Sequence, residues 1–155
     1  MKNETKVERK SPREVVITRT FNAPARIVFE AWTKADVMRR WWVPASSGLT
    51  LLSCEMDVRT GGGYRFVFAA EPEPMAFFGR YLEVVPCSRL VWTNDESGDA
   101  GQRSTLTLEE HGDTTRIVLH ELYPSADALE AGKGAYDGMA ETFAQLDALL
   151  PASAA

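Results

Sequence analysis

Apolar residues in this 155-residue chain recur with two different periods, and the switches between them mark its elements. "EVVITRTF", Glu14 to Phe21, is rich in β-branched residues and reads as a strand. In "NAPARIVFEAWT" the period lengthens. Val28, Ala31 and Trp32 share one helical face, Pro24 suits a first turn, and Asn22 is placed to accept from free backbone N–H groups. Thr33 and Asp36 form a T-x-x-D start for a second short helix. At about 100° per residue, Val37, Met38, Trp41 and Trp42 fall in one sector of that helix, with Arg39 and Arg40 opposite. Pro44 stops it.

From Leu49 to Glu121 the period becomes two. Strands are expected at about 49–58, 64–70, 76–85, 88–95, 103–111 and 114–121, broken at "RTGGG", "EPEP", "VPCS", "ESGDAG" and "HGD". Turns this short pair their neighbours antiparallel. A two-residue turn at Gly112-Asp113 sets His111 opposite Thr114, Leu108 opposite Ile117 and Leu106 opposite Leu119 on one face. On the other face Glu109 meets Arg116. The same register carries Ser104 and Glu121 onto the apolar face, where a carboxylate must be exposed, paired or shifted in pKa.

The span from about Ala126 to Leu150 reads as one long helix, with Tyr136, Met139, Phe143, Leu146 and Leu150 as its apolar stripe. Gly132, Gly134 and Gly138 interrupt its first half at about 1 kcal/mol each. They imply a later helix start, a close backbone approach, or space left open. The order strand, two short helices, six antiparallel strands, long helix predicts an α+β fold. A curved sheet of about seven strands would be covered by the terminal helix and closed at one end by the short helices.

Length and composition suit one globular domain over 13–150, with a tail at 151–155 expected to be disordered. The first 13 residues carry five basic and two acidic side chains, and the rest carry 12 and 20. Residues 1–12 are therefore expected as a mobile, solvated basic arm. The acidic body excludes a phosphate-backbone binder, so no nucleic-acid partner is expected. Apolar runs are too short to insert into a membrane, and "MKNETKVERKSPRE" lacks the apolar stretch of a secretory signal. Cys54 and Cys87 show neither paired nor metal-ligand spacing, which points to a reduced, cytoplasmic setting with no metal site. "DVRTGGG" lacks the order of a phosphate loop, and Arg59 is expected to pair with Asp57.

"ITRTFNAPARIVFEAWT", "MRRWWVP", "DVRTGGGYRF", "GRYLEVVPCSRLVWT", "TTRIVLHE" and "GMAETFAQLDALL", in this order, resemble the helix-grip fold of the START/Bet v 1-like (SRPBCC) superfamily. Within it the chain is similar to the domain family named after the C-terminal domain of the heat-shock-protein-90 ATPase activator. It departs from that pattern at Gly138-Met139, where family members commonly carry Gly-Trp. The resemblance implies a cavity between sheet and long helix that takes a small hydrophobic or amphipathic ligand, with no cofactor. A chaperone, or a second copy of the chain as a homodimer, are the protein partners it leaves open.

The candidate lining residues are Trp32, Trp41 and Trp42 from the helices, Phe66, Phe68, Phe77, Tyr81 and Trp92 from the strands, and Met139 and Phe143 from the terminal helix. For the strand aromatics solid core is the equal alternative, and for Trp41, Trp42, Met139 and Phe143 core packing is the first expectation. Glu121 is the polar candidate, as an anchor or a general base. A cyclase-like or hydrolytic enzyme needs a second polar group beside it, from Tyr81, Tyr123 or Arg65. His111 and His120 have no Ser or Cys partner in a recognisable motif, so a nucleophilic triad is not supported. Ligand binding is expected ahead of catalysis, and catalysis ahead of chaperone regulation or a stress-response role.

Overall fold

The computed structural model describes residues 4–95 and 102–154. Eight strands form a single antiparallel sheet: β1 (Lys6–Ser11), β2 (Glu14–Phe21), β3 (Leu51–Met56), β4 (Gly63–Phe68), β5 (Met75–Val85), β6 (Arg89–Asn94), β7 (Gln102–His111) and β8 (Thr114–Leu122). Their order across the sheet is β1-β2-β8-β7-β6-β5-β4-β3. Helices α1 (Ala25–Thr33) and α2 (Ala35–Trp41) follow β2, and a 3-10 turn (Ala45–Ser47) leads to β3. The chain closes with α3 (Ala126–Ala131), α4 (Lys133–Asp137) and α5 (Met139–Ala154). This is the α+β helix-grip architecture. The turn expected at 96–101 lies outside the described residues.

Three expectations change. The basic arm is not a free tail: Lys6–Ser11 pair with β2, giving eight strands rather than seven. With Val7 as its one large apolar residue, β1 shows no alternation to read. Its charged side chains suit an exposed sheet edge. The terminal helix is three pieces rather than one, and it runs on through 151–154. Gly132 closes α3, and a Cβ there would lie 3.0 Å from the Tyr123 ring. Close approach therefore explains that glycine. Finally, neither Asn22 nor the Thr33/Asp36 pair caps a helix. Ala25 N, at the start of α1, donates instead to Glu110 of β7 (2.7 Å), and the Thr33 hydroxyl turns back to the Phe29 carbonyl.

The β7–β8 hairpin has the predicted register, from His111↔Thr114 to Ser104↔Glu121. Gly112 takes the left-handed conformation (φ 63°) that the tight turn demands. Arg116 pairs with Glu109 on the outer face (3.2 Å), and His120 with Glu14 (2.8 Å). The inward face of β2, β7 and β8 (Val15, Ile17, Phe21, Leu106, Ile117, Leu119) packs against Phe143, Leu146 and Leu150 of α5 and Val28 and Ala31 of α1. Every one of these side chains is buried.

Candidate functional site

The sheet is covered unevenly. Under β4, β5 and β6 the terminal helix leaves a cavity of about 440 Å³. Its sheet wall comes from Tyr64, Phe66 and Phe68 of β4, Phe77 and Tyr81 of β5, and Leu90, Trp92 and Asn94 of β6, with Gln102 at the start of β7. Strand alternation puts each of these rows on one face. The roof is Gly138, Met139 and Thr142, where α4 gives way to α5, and Trp32 and Met38 close the back. The segment from Trp42 to Leu49 lines the remaining side, and its exposure from Ala45 to Leu49 marks it as the mouth.

Two side chains of α5 hold that mouth. Gln145 Nε2 donates to the carbonyls of Trp41 and Val43 (2.9 Å each), and its Oε1 accepts from Ala45 N (2.8 Å). Glu141 accepts from Ser46 N (2.9 Å) and from the Ser46 hydroxyl. These bonds hold its carboxyl below the usual glutamate range.

Eight candidates from the sequence line the cavity: Trp32, Trp42, Phe66, Phe68, Phe77, Tyr81, Trp92 and Met139. Three do not. Trp41 and Phe143 are fully buried core residues, and Glu121 lies on β8 beside Ser104, outside the lining. The adjacent tryptophans thus divide: Trp41 turns inward and donates to the Ala31 carbonyl (3.0 Å), while Trp42 faces the mouth. All four tryptophans meet around Trp32, whose ring centroid lies 4.9 Å from Trp41, 5.8 Å from Trp42 and 5.9 Å from Trp92.

Polar lining was the part missed. Asn94 and Gln102 face each other across β6 and β7, and the alternation that flags Trp92 and Ser104 flags them as well. Arg65 is exposed on the outer face, beside a shallow groove with Arg80 and Asp95, so it does not approach Glu121. Arg59 pairs with Asp57 (3.0 Å). Burial pushes the Cys54 thiol up, against a weaker opposing pull from Arg39, which leaves it a poor nucleophile.

Glu121 is part-buried. It accepts from the Ser104 hydroxyl (2.6 Å) and from the side chain of Gln102. Desolvation outweighs both bonds and pushes its carboxyl up to about 7. An unfolded glutamate titrates near 4.5, so between these values the native state holds a proton that the unfolded chain has released. Stability attributable to this group is therefore present at low pH and falls as pH rises through about 7. Glu121→Gln, which mimics the protonated acid, is expected to be isostable with the parent near pH 4, below the unfolded value. Near pH 8 it should be more stable by about 2 kcal/mol, less than the full shift implies because the residue keeps some contact with water. Urea unfolding of both proteins at the two pH values measures this, and an equal difference at both would refute it.

An eight-stranded sheet gripping a C-terminal helix around an apolar cavity defines a member of the START/Bet v 1-like (SRPBCC) class. The family model described as "Activator of Hsp90 ATPase homolog 1-like protein" matches residues 22–151, and the chain belongs to that family. A protein of Rhodobacter sphaeroides superposes with a TM-score of 0.83 at 21% identity, covering 96% of this chain and 99% of its own. One from Chromobacterium violaceum gives 0.76 at 28%, covering 90% and 98%. The AHSA1-like protein of Aeromonas hydrophila gives 0.70 at 16%, covering 86% and 93%. No curated protein matches the chain. Among the described residues, no helix is long and apolar enough to cross a membrane.

Proposed function

We propose that this protein is a cytoplasmic binding domain for one small, uncharged, largely apolar ligand, held between β4–β6 and the start of α5. The observation that carries this reading is the cavity itself. Its volume suits a small organic molecule, and its described lining is dominated by aromatic rings with no charged side chain. A carboxylate or phosphate drawn into it would be buried without a cation, at a cost that apolar contact does not recover. Asn94 and Gln102 give the ligand one polar end to orient against. Family membership carries a chaperone-regulating role as the other functional class, but an aromatic cavity has no use in a pure docking module. Binding is put ahead of catalysis because Glu121, the carboxylate candidate, is not among the residues that line the cavity.

Isothermal titration calorimetry with naphthalene-1-methanol and the matched anion naphthalene-1-carboxylate tests the reading. The alcohol is expected to bind with a Kd of about 10–100 µM. The anion is expected to bind at least about thirtyfold more weakly. Absence of binding by the alcohol, or equal binding by the anion, would defeat it.

A further inference from the structure

The polar end of the cavity is one connected unit. Asn94 and Gln102 line the cavity, and both lead back to the same carboxylate. Asn94 Nδ2 donates to Ser104 Oγ (3.3 Å), Ser104 Oγ–H donates to Glu121 Oε2 (2.6 Å), and the Gln102 side chain bonds Glu121 as well. On the far side the Tyr64 hydroxyl reaches Asn94 Oδ1 (2.9 Å) and the Thr93 carbonyl (2.8 Å). Three strands fix this line through the pairs Asn94↔Gln102 and Ser104↔Glu121.

The hydrogen-bonding capacity of each group decides what the cavity sees. An ionised carboxylate only accepts. It takes the Ser104 proton and an N–H of Gln102, and through Ser104 it holds an N–H of Asn94. The Gln102 amide is then turned with its nitrogen toward Glu121, leaving its oxygen for the cavity. A protonated carboxyl carries a donor of its own. It can donate to Gln102 Oε1, which turns the amide over and presents N–H groups to the cavity instead.

We propose that Glu121 is a positioning residue that sets the hydrogen-bond sense of this cavity. With the carboxylate ionised, the polar end accepts from a hydroxyl on an otherwise apolar ligand. With it protonated, the polar end donates to an ether or carbonyl oxygen. The proposal rests on the ligand-binding reading above and adds which head group is chosen and what chooses it.

Glu121 is the carboxylate hydrogen-bonded into this polar end, and its charged neighbours are engaged elsewhere. Tyr123 is the ionisable neighbour that feels its charge, and burial holds that phenol protonated far above neutral pH. Tyr136, from α4, pushes the Tyr123 phenol in the same direction. From the other elements, Arg13 is committed through Nε to the Tyr123 carbonyl (2.9 Å), Lys133 to Asp137 (2.7 Å), and Glu14 of β2 to His120 (2.8 Å).

The test uses two ligands that do not titrate, naphthalene-1-methanol and its methyl ether, 1-(methoxymethyl)naphthalene. Their Kd values are measured by calorimetry on the full chain at pH 5.5 and 8.5. The ratio of ether Kd to alcohol Kd is expected to rise about tenfold with pH, the worth of one hydrogen bond exchanged. In Glu121→Gln it is expected to stay constant within about twofold, since the amide does not titrate. Ser104→Ala cuts the branch from Asn94 while leaving Glu121 in place, and is expected to shrink the rise to about threefold. A ratio that ignores pH in the parent, or a rise that survives undiminished in either variant, overturns the proposal while ligand binding stands. If neither compound binds at either pH, the ligand-binding reading falls and takes this proposal with it.

Discussion

Trp41→Ala is expected to cost about 4 kcal/mol of stability, while Trp42→Ala, one residue away, is expected to cost about 1–2 kcal/mol. Trp41 is completely buried, and its ring meets Trp32 and Phe143 edge-on or tilted. Truncation there leaves a hole the size of an indole, walled by α1, α2 and α5, that rigid neighbours cannot fill. It also removes the Nε1–H bond to the Ala31 carbonyl, one of the last carbonyls of α1, which needs a partner from outside its own helix. Trp42 borders space that is already empty and keeps some contact with solvent, so its removal widens a cavity rather than creating one. The effects on ligand reverse. Trp42→Ala is expected to weaken naphthalene-1-methanol about tenfold by removing a ring at the mouth, whereas Trp41→Phe, which keeps the core filled, should leave that affinity within about twofold. Urea unfolding and calorimetry on the three variants measure both. Equal stability losses for Trp41→Ala and Trp42→Ala would show that the division between core and wall is misplaced.

This division also marks how far the chain could be read in advance. A shared helical sector placed both tryptophans on the buried side of α2, and it did so correctly. The sector is about 140° wide, however, and only the positions of α1 and α5 decide which edge meets core and which meets cavity. The β7–β8 pairing was legible to the residue, because a two-residue turn and a period of two leave a single register. That register exposed the Ser104–Glu121 contact. The contacts that hold the starts of α1 and of the 3-10 turn were not legible. Glu110 reaches Ala25 from another element, and Glu141 and Gln145 reach the mouth from the far end of the chain, so nothing local announces them. β1 was missed because an edge strand buries too little to leave a pattern. Asn94 and Gln102 were different, since their inward placement follows from the alternation already in use. Attention to large apolar side chains passed over the polar positions in the same rows.

Arg19 follows from that alternation too. Val15, Ile17, Arg19 and Phe21 share one face of β2, so a guanidinium is carried into the core, and its side chain is only 7% exposed. It is held there by Asp147 of α5, by the Thr5 hydroxyl (2.8 Å) and by the face of Phe21, 5.6 Å below its Cζ. One contact therefore joins the sheet, the terminal helix and the start of β1. Removing one partner should cost more than the pair contributes, because the other charge is left where water hydrates it poorly. Arg19→Met is expected to lose about 3 kcal/mol, and Asp147→Leu a similar amount, since it strands the more deeply buried charge. The double variant is expected to recover at least about half of the summed loss, because two apolar side chains of suitable length fill the same space without a desolvation penalty. Arg19 Nε finds no partner among the described residues, so even the intact pair leaves a buried donor unmet and the apolar replacement has little to match. A double-mutant cycle by urea unfolding measures the coupling. Additive losses, with coupling under about 0.5 kcal/mol, would mean that packing alone holds α5 on the sheet. The cavity would then owe its shape to Phe143 and Leu146, with no contribution from the ion pair beside them.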